Sequence, residues 1–224
     1  MAVKLEKSGD QYKVNLNKEN VNGKKEILIN LNWSKETGKK GFFQTLFGQN
    51  KEIDLDLGCY YKMRKGEHLK NGEYSVIDGV QFSHGRGGGR DKKTNQGCYT
   101  NSPFIWHEGD DRGNAGIESG ENIYVNPVGI NSIERMTIYT FIYDGVSNWE
   151  ATDAVITVKV PGNEDIVVEM GKQNDKRKFC AIAELLFDGQ NSITVKKLVT
   201  FHNGHKECDE KYGWGLQWTT GSKD

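Results

Sequence analysis

The chain has 224 residues, 30 basic against 31 acidic side chains and a net charge of −1. No run of about 18 apolar residues is present, which excludes a membrane-spanning helix, and the near-neutral balance excludes a global basic footprint for nucleic acid or anionic membranes. Mean hydropathy is low at −0.71, yet 9 Phe, 9 Tyr and 5 Trp can build a core that a disordered chain would lack, and 27 Gly beside 3 Pro suit a turn-rich sheet protein.

The opening residues MAVKLEKSGD carry no apolar stretch of the kind a secretory signal needs. The expected compartment is therefore the reducing cytoplasm, where Cys59, Cys98, Cys180 and Cys208 default to free thiols. Residues 11–16 and 26–33 read as strands, the second because Ile27, Ile29 and Leu31 alternate with polar neighbours. Residues 34–51 are basic and polar around an apolar GFFQTLFG and read as an insertion, whose apolar residues beside lysines could dock a partner or rest on a membrane surface. Residues 53–63 alternate most clearly. Ile53, Leu55, Leu57, Cys59, Tyr61 and Met63 share one face, and Asp54, Asp56, Gly58, Tyr60 and Lys62 the other.

Residues 83–97 form a loop rich in glycine and charge, and residues 109–120 an acidic, glycine-rich loop between two strands. Residues 136–143 are apolar on both faces, as a central strand is. Residues 154–160 and 166–170 read as a hairpin, and residues 179–187 and 193–201 as a second one, although AIAEL would also suit a helix. Nine or ten strands at this spacing predict an all-β fold, with minor helix at most, built as a two-sheet β-sandwich. No linker divides the chain, so a single domain over residues 1–224 is expected.

The chemistry concentrates in acidic residues. Asp54 and Asp56, two apart on a strand, project from one face ~7 Å apart at ~3.4 Å per residue. The later run HEGDDRGNAGIESGENIYV adds Glu108, Asp110, Asp111, Glu118 and Glu121, with glycines that let the backbone turn tightly. Carboxylates, carbonyls and waters are the ligands Ca2+ prefers, whereas Zn2+ would want His or Cys. The competing reading is a solvated loop between strands. No EF-hand order is present.

Seven motifs then follow in order: IDLDLG at 53–58, EGDDRGN at 108–114, GENIYV at 120–125, FIYDGVSNW at 141–149, CAIAEL at 180–185, FHNGHKECD at 201–209 and YGWGLQW at 212–218. Together they resemble the tellurium resistance and stress protein family built on the TerD domain, and the late motifs are most like its TerA branch. The resemblance covers nearly the whole chain, from VKLEKSGDQ onward. It implies a β-sandwich that binds Ca2+ between the DLD strand and the GDD loop. It also implies a cytoplasmic stress-response role beside other Ter proteins, without an established enzymatic activity. Matched by position, Asp54 and Asp56 correspond to DLD, Asp110 and Asp111 to the start of the loop, and Glu121 to its closing glutamate; Glu118 completes the candidate metal set. Many members close the loop with GDDE, where this chain has Glu118, Ser119, Gly120 and Glu121. Fewer carboxylates imply one Ca2+ rather than two.

Other constellations are weaker. His202, His205 and Cys208, three apart, fall on one helical face or in a tight loop and could hold Zn2+ or a soft metal, but no fourth ligand is near and the favoured reading is hydrogen-bonding loop residues. Cys98 or Cys208, if exposed, would offer a thiol for tellurite. Residues 85–90 with Lys92 and Lys93 could wrap an anion or RNA, against the plainer reading of a surface loop. Trp106, Trp149, Trp214 and Trp218 could make a sugar platform, although aromatic residues more often fill a sandwich core. No GxSxG or HExxH is present, and the acidic pairs suit a cation better than glycosidase chemistry. The rivals are accordingly a carbohydrate- or nucleic-acid-binding β-sandwich, or a metal-dependent hydrolase.

Overall fold

The computed structural model describes residues 1–16, 25–33, 53–64, 76–82, 86–110, 120–145 and 147–218. The insertion at 34–51 lies outside them, as do the first residues of the 83–97 loop and most of the acidic loop. The elements in chain order are β1 (Ala2–Leu5), β2 (Gln11–Asn15), β3 (Ile27–Asn32), β4 (Asp54–Met63), β5 (Ile77–Gln81), β6 (Gly97–Cys98), β7 (Ile105–His107), β8 (Glu121–Val125), β9 (Ile133–Asp144), β10 (Val155–Lys159), β11 (Asp165–Glu169), β12 (Phe179–Phe187), β13 (Ser192–His202) and the helix α1 (His205–Tyr212).

Two sheets result, one ordered β1-β11-β10-β3-β8-β7-β6 and the other β2-β13-β12-β9-β4-β5. β1 runs parallel to β11, while the hairpins β10–β11 and β12–β13 are antiparallel. The main core lies between the sheets. Ile27, Ile29, Leu31, Ile123 and Ile156 enter it from one sheet, and Leu55, Leu57, Ile138, Leu185 and Val195 from the other. The alternation read from residues 53–63 is what sorts them: all six residues of the apolar set join this core.

The opposite face of β4, β9 and β12 is buried too. Tyr60, Tyr139, Phe179, Ala181 and Leu198 form a second cluster with Cys208 and Trp214, contributed by α1 and the segment after it. This cover is why residues 136–143 are apolar on both faces.

Residues 179–187 are a strand, and the helical alternative fails. Its neighbours β9 and β13 supply ladder partners on both sides, which outweigh the local helix propensity of AIAEL. Thirteen strands are present among the described residues, more than the nine or ten expected; β1, β5 and β6 match no strand read from the sequence. Of the two placements open to residues 202–208, a helical face or a tight loop, α1 takes the helical one from His205 onward. Its N-cap glycine and low apolar content give little helical signal. Among the described residues no helix is long and apolar enough to cross a membrane.

Among the polar links that join the sheets, one is a lysine and another is the candidate site. The Lys197 ammonium on β13 is buried and donates to the carbonyls of Leu5, Glu6 and Glu169 at 3.2, 3.0 and 2.7 Å.

Candidate functional site

Glu121 opens β8 in one sheet, Asp56 lies on β4 in the other, and Asp110 follows β7. One oxygen from each of these three carboxylates lies within 4.8 Å of the other two. Gly120 sets the entry to β8. Its φ is +96°, and a Cβ there would stand 2.0 Å from the Leu31 carbonyl oxygen, so glycine alone fits.

The Glu121 side chain is 1% exposed. Its Oε2 accepts the Leu57 N–H at 2.5 Å, which ties β8 to β4 across the sheets. His107, fully buried on β7, places Nε2 3.5 Å from the same oxygen and 3.1 Å from the Leu57 carbonyl oxygen. The Gly109 N–H donates to His107 Nδ1 at 3.0 Å. Nδ1 therefore acts as the acceptor and Nε2 carries the proton.

Burial pushes the Glu121 carboxyl above its usual range. His107 and the Leu57 N–H oppose that rise, and the Asp110 charge adds to it. Three carboxylates so close in a poorly solvated place repel one another unless a proton or a cation intervenes. The donor set suits a hard cation. It is all oxygen, and both nitrogens of the nearby imidazole are already engaged within the protein. A zinc site would need nitrogen or sulfur donors with open lone pairs.

Of the six residues expected to bind metal, the structure brings Asp56, Asp110 and Glu121 together. Asp54 stands outside the group. The register with β9 shifts between Asp54 and Leu55, placing Asp54 opposite Asp144, so regular alternation does not carry both aspartates to one point. Asp111 and Glu118 lie outside the described residues. His107 was missed as a functional residue; its place two residues before Gly109 was the signal available.

His202, His205 and Cys208 do not assemble. His202 Nε2 bonds the Thr200 hydroxyl at 2.9 Å, and His205 Nε2 bonds Gln81 Oε1 at 3.0 Å. They sit at the end of β13 and the start of α1 rather than in a loop. Cys98 and Cys208 are both buried, which overturns the expectation of an exposed thiol. Burial also pushes the Cys208 thiol up to about 12.

From the glycine-rich loop, the Arg90 guanidinium pairs with Glu26 and lies over the rings of Tyr99, Tyr124 and Trp106 at 4.1, 5.1 and 5.4 Å. That arginine is engaged internally. Trp149 and Trp214 are core residues, Trp106 is buried against Tyr124, and Trp218 is exposed.

No protein-family profile matches the chain. Tellurium resistance protein TerA of an Alcaligenes species is 35% identical over 198 residues, which cover 88% of this chain and 52% of that protein. The chain thus spans about half the length of this curated relative. The crystal structure of a homologue of the telluride resistance protein TerD from Streptomyces coelicolor aligns at 14% identity and a TM-score of 0.46, covering 83% of this chain and 94% of its own. A crystal structure of a protein of unknown function aligns at 12% identity and a TM-score of 0.45, covering 86% and 98%.

Proposed function

We propose that this chain, a homologue of tellurium resistance protein TerA over most of its length, is a non-enzymatic Ca2+-binding module of the tellurite stress response. It works by binding rather than turnover, as a single cytoplasmic domain alongside other Ter proteins. The observation that carries the site is the convergence of Asp56, Asp110 and Glu121 from two sheets in an all-oxygen donor set.

These three residues would hold one Ca2+, with backbone carbonyls and waters completing the six to eight oxygens it requires. The bound ion supplies the positive charge that cancels their repulsion. Asp56 and Glu121 belong to different sheets, so occupancy links the sheets and stabilises the folded chain by mass action.

Calorimetric titration of the chelated chain with CaCl2, and with MgCl2 and ZnCl2 in parallel, tests this reading. Saturable binding of about one Ca2+ per chain, lost in Glu121→Gln, is expected. Absence of Ca2+ heat, or undiminished binding by the variant, contradicts it.

A further inference from the structure

We propose that His107 is the positioning residue of this cation site; the inference rests on the Ca2+ reading above. One buried imidazole touches all three segments that carry the carboxylates. Its Nε2 meets the carbonyl of Leu57, the residue after Asp56. The same nitrogen faces Glu121 Oε2. Its Nδ1 holds the N–H of Gly109, the residue before Asp110. A buried neutral imidazole has one donor and one acceptor nitrogen to satisfy. This one uses each nitrogen on a different ligand-bearing segment.

The arrangement has two consequences. The Nε2–H holds the Leu57 carbonyl at 3.1 Å while facing Glu121 Oε2 at 3.5 Å, so the ring sets the strand beside Asp56 and borders the place where Glu121 presents its carboxylate, as an outer partner does for a metal ligand elsewhere. With Nδ1 filled by Gly109, the ring has no lone pair for the ion. The residue thereby shapes the site while leaving it all-oxygen, which favours hard divalent cations over zinc.

Two substitutions separate positioning from packing. In His107→Gln the side-chain amide reaches the Nε2 position, can still donate to the Leu57 carbonyl and still faces Glu121. In His107→Asn the amide reaches only the Nδ1 position and abandons both. Calorimetry with CaCl2 on the full chain should show the Asn variant weakened about 10–100-fold and the Gln variant closer to wild type. Equal loss in both, or loss in neither, overturns the positioning role while the Ca2+ site stands. Failure of the wild-type chain to bind Ca2+ overturns the site reading itself.

A measurement on the unmodified chain guards against misfolded variants. In 15N NMR of the imidazole nitrogens, one ring should be in the Nε2–H form, with both of its signals moving as Ca2+ is added. Imidazole signals that all stay fixed through saturation overturn the proposal.

Discussion

At Gly120 a departure from the related pattern turns out to be a steric requirement. Against GDDE the missing aspartate reads as a lost ligand, but with φ at +96° and the Leu31 carbonyl oxygen 2.0 Å from a Cβ, no side chain fits. Restoring the carboxylate as Gly120→Asp should therefore cost more than about 1 kcal/mol in urea unfolding, without adding a second Ca2+. Lys197 makes a similar point. Lys197→Met would remove a donor from the carbonyls of Leu5, Glu6 and Glu169, of which the Leu5 contact is buried, at a cost of about 1–3 kcal/mol for a buried carbonyl left unsatisfied. Urea midpoints of the two variants check both statements. The carboxylates Asp56, Asp110 and Glu121 were legible from residue type and spacing. His107 was not, because its role depends on Leu57, fifty residues away in sequence. Lys197 resembled any lysine of a half-exposed strand.

Strands were legible wherever one face is wet or both are apolar over several residues. β4, β9, β10, β12 and β13 fall into this class. β6 and β7, of two and three residues, carry no period at all. The C-terminal cover was hidden for a different reason. Its helix is anchored from outside, where the Tyr60 hydroxyl donates to the His205 carbonyl at 3.0 Å, and it is tied to the segment after it, where the Asp209 carboxylate accepts the N–H groups of Gly215 and Leu216 at 2.7 and 2.9 Å and the Trp218 indole N–H at 2.5 Å. Trp214, 1% exposed, fills the second cluster from this segment. Trp214→Ala should cost about 3–5 kcal/mol, read by chemical denaturation.

His205, packed against Tyr139, Phe141, Phe179 and Trp218, adds a pH dependence to the cover. Burial lowers its pKa from 6.5 to about 4. Between those values the unfolded chain binds a proton that the folded chain refuses. The stability from neutral His205 is complete above pH 6.5 and declines as pH falls towards 4. Urea titrations from pH 7 to pH 4 should show that decline in the wild type, and less of it in His205→Phe.

Across the whole molecule, polar links join the sheets near both edges. Lys197 on β13 reaches β1 and β11 on one side, and Glu121 on β8 meets Leu57 of β4 on the other. The first link carries its own positive charge. The second gathers three carboxylates into an all-oxygen set of the kind a hard cation takes. The two-layer architecture was legible from strand count and alternation, but which strands face one another was not, because β4 and β8 meet only through sheet order. The most direct measurement is thermal unfolding of the chelated chain with and without saturating CaCl2. At about 100 times Kd, an ion bound only by the folded state adds roughly 2.7 kcal/mol, or about 5–10 °C in Tm for a chain of this size. The account predicts that rise in the wild type and its loss in Glu121→Gln. An unchanged Tm in the wild type, or the same rise in the variant, would contradict it.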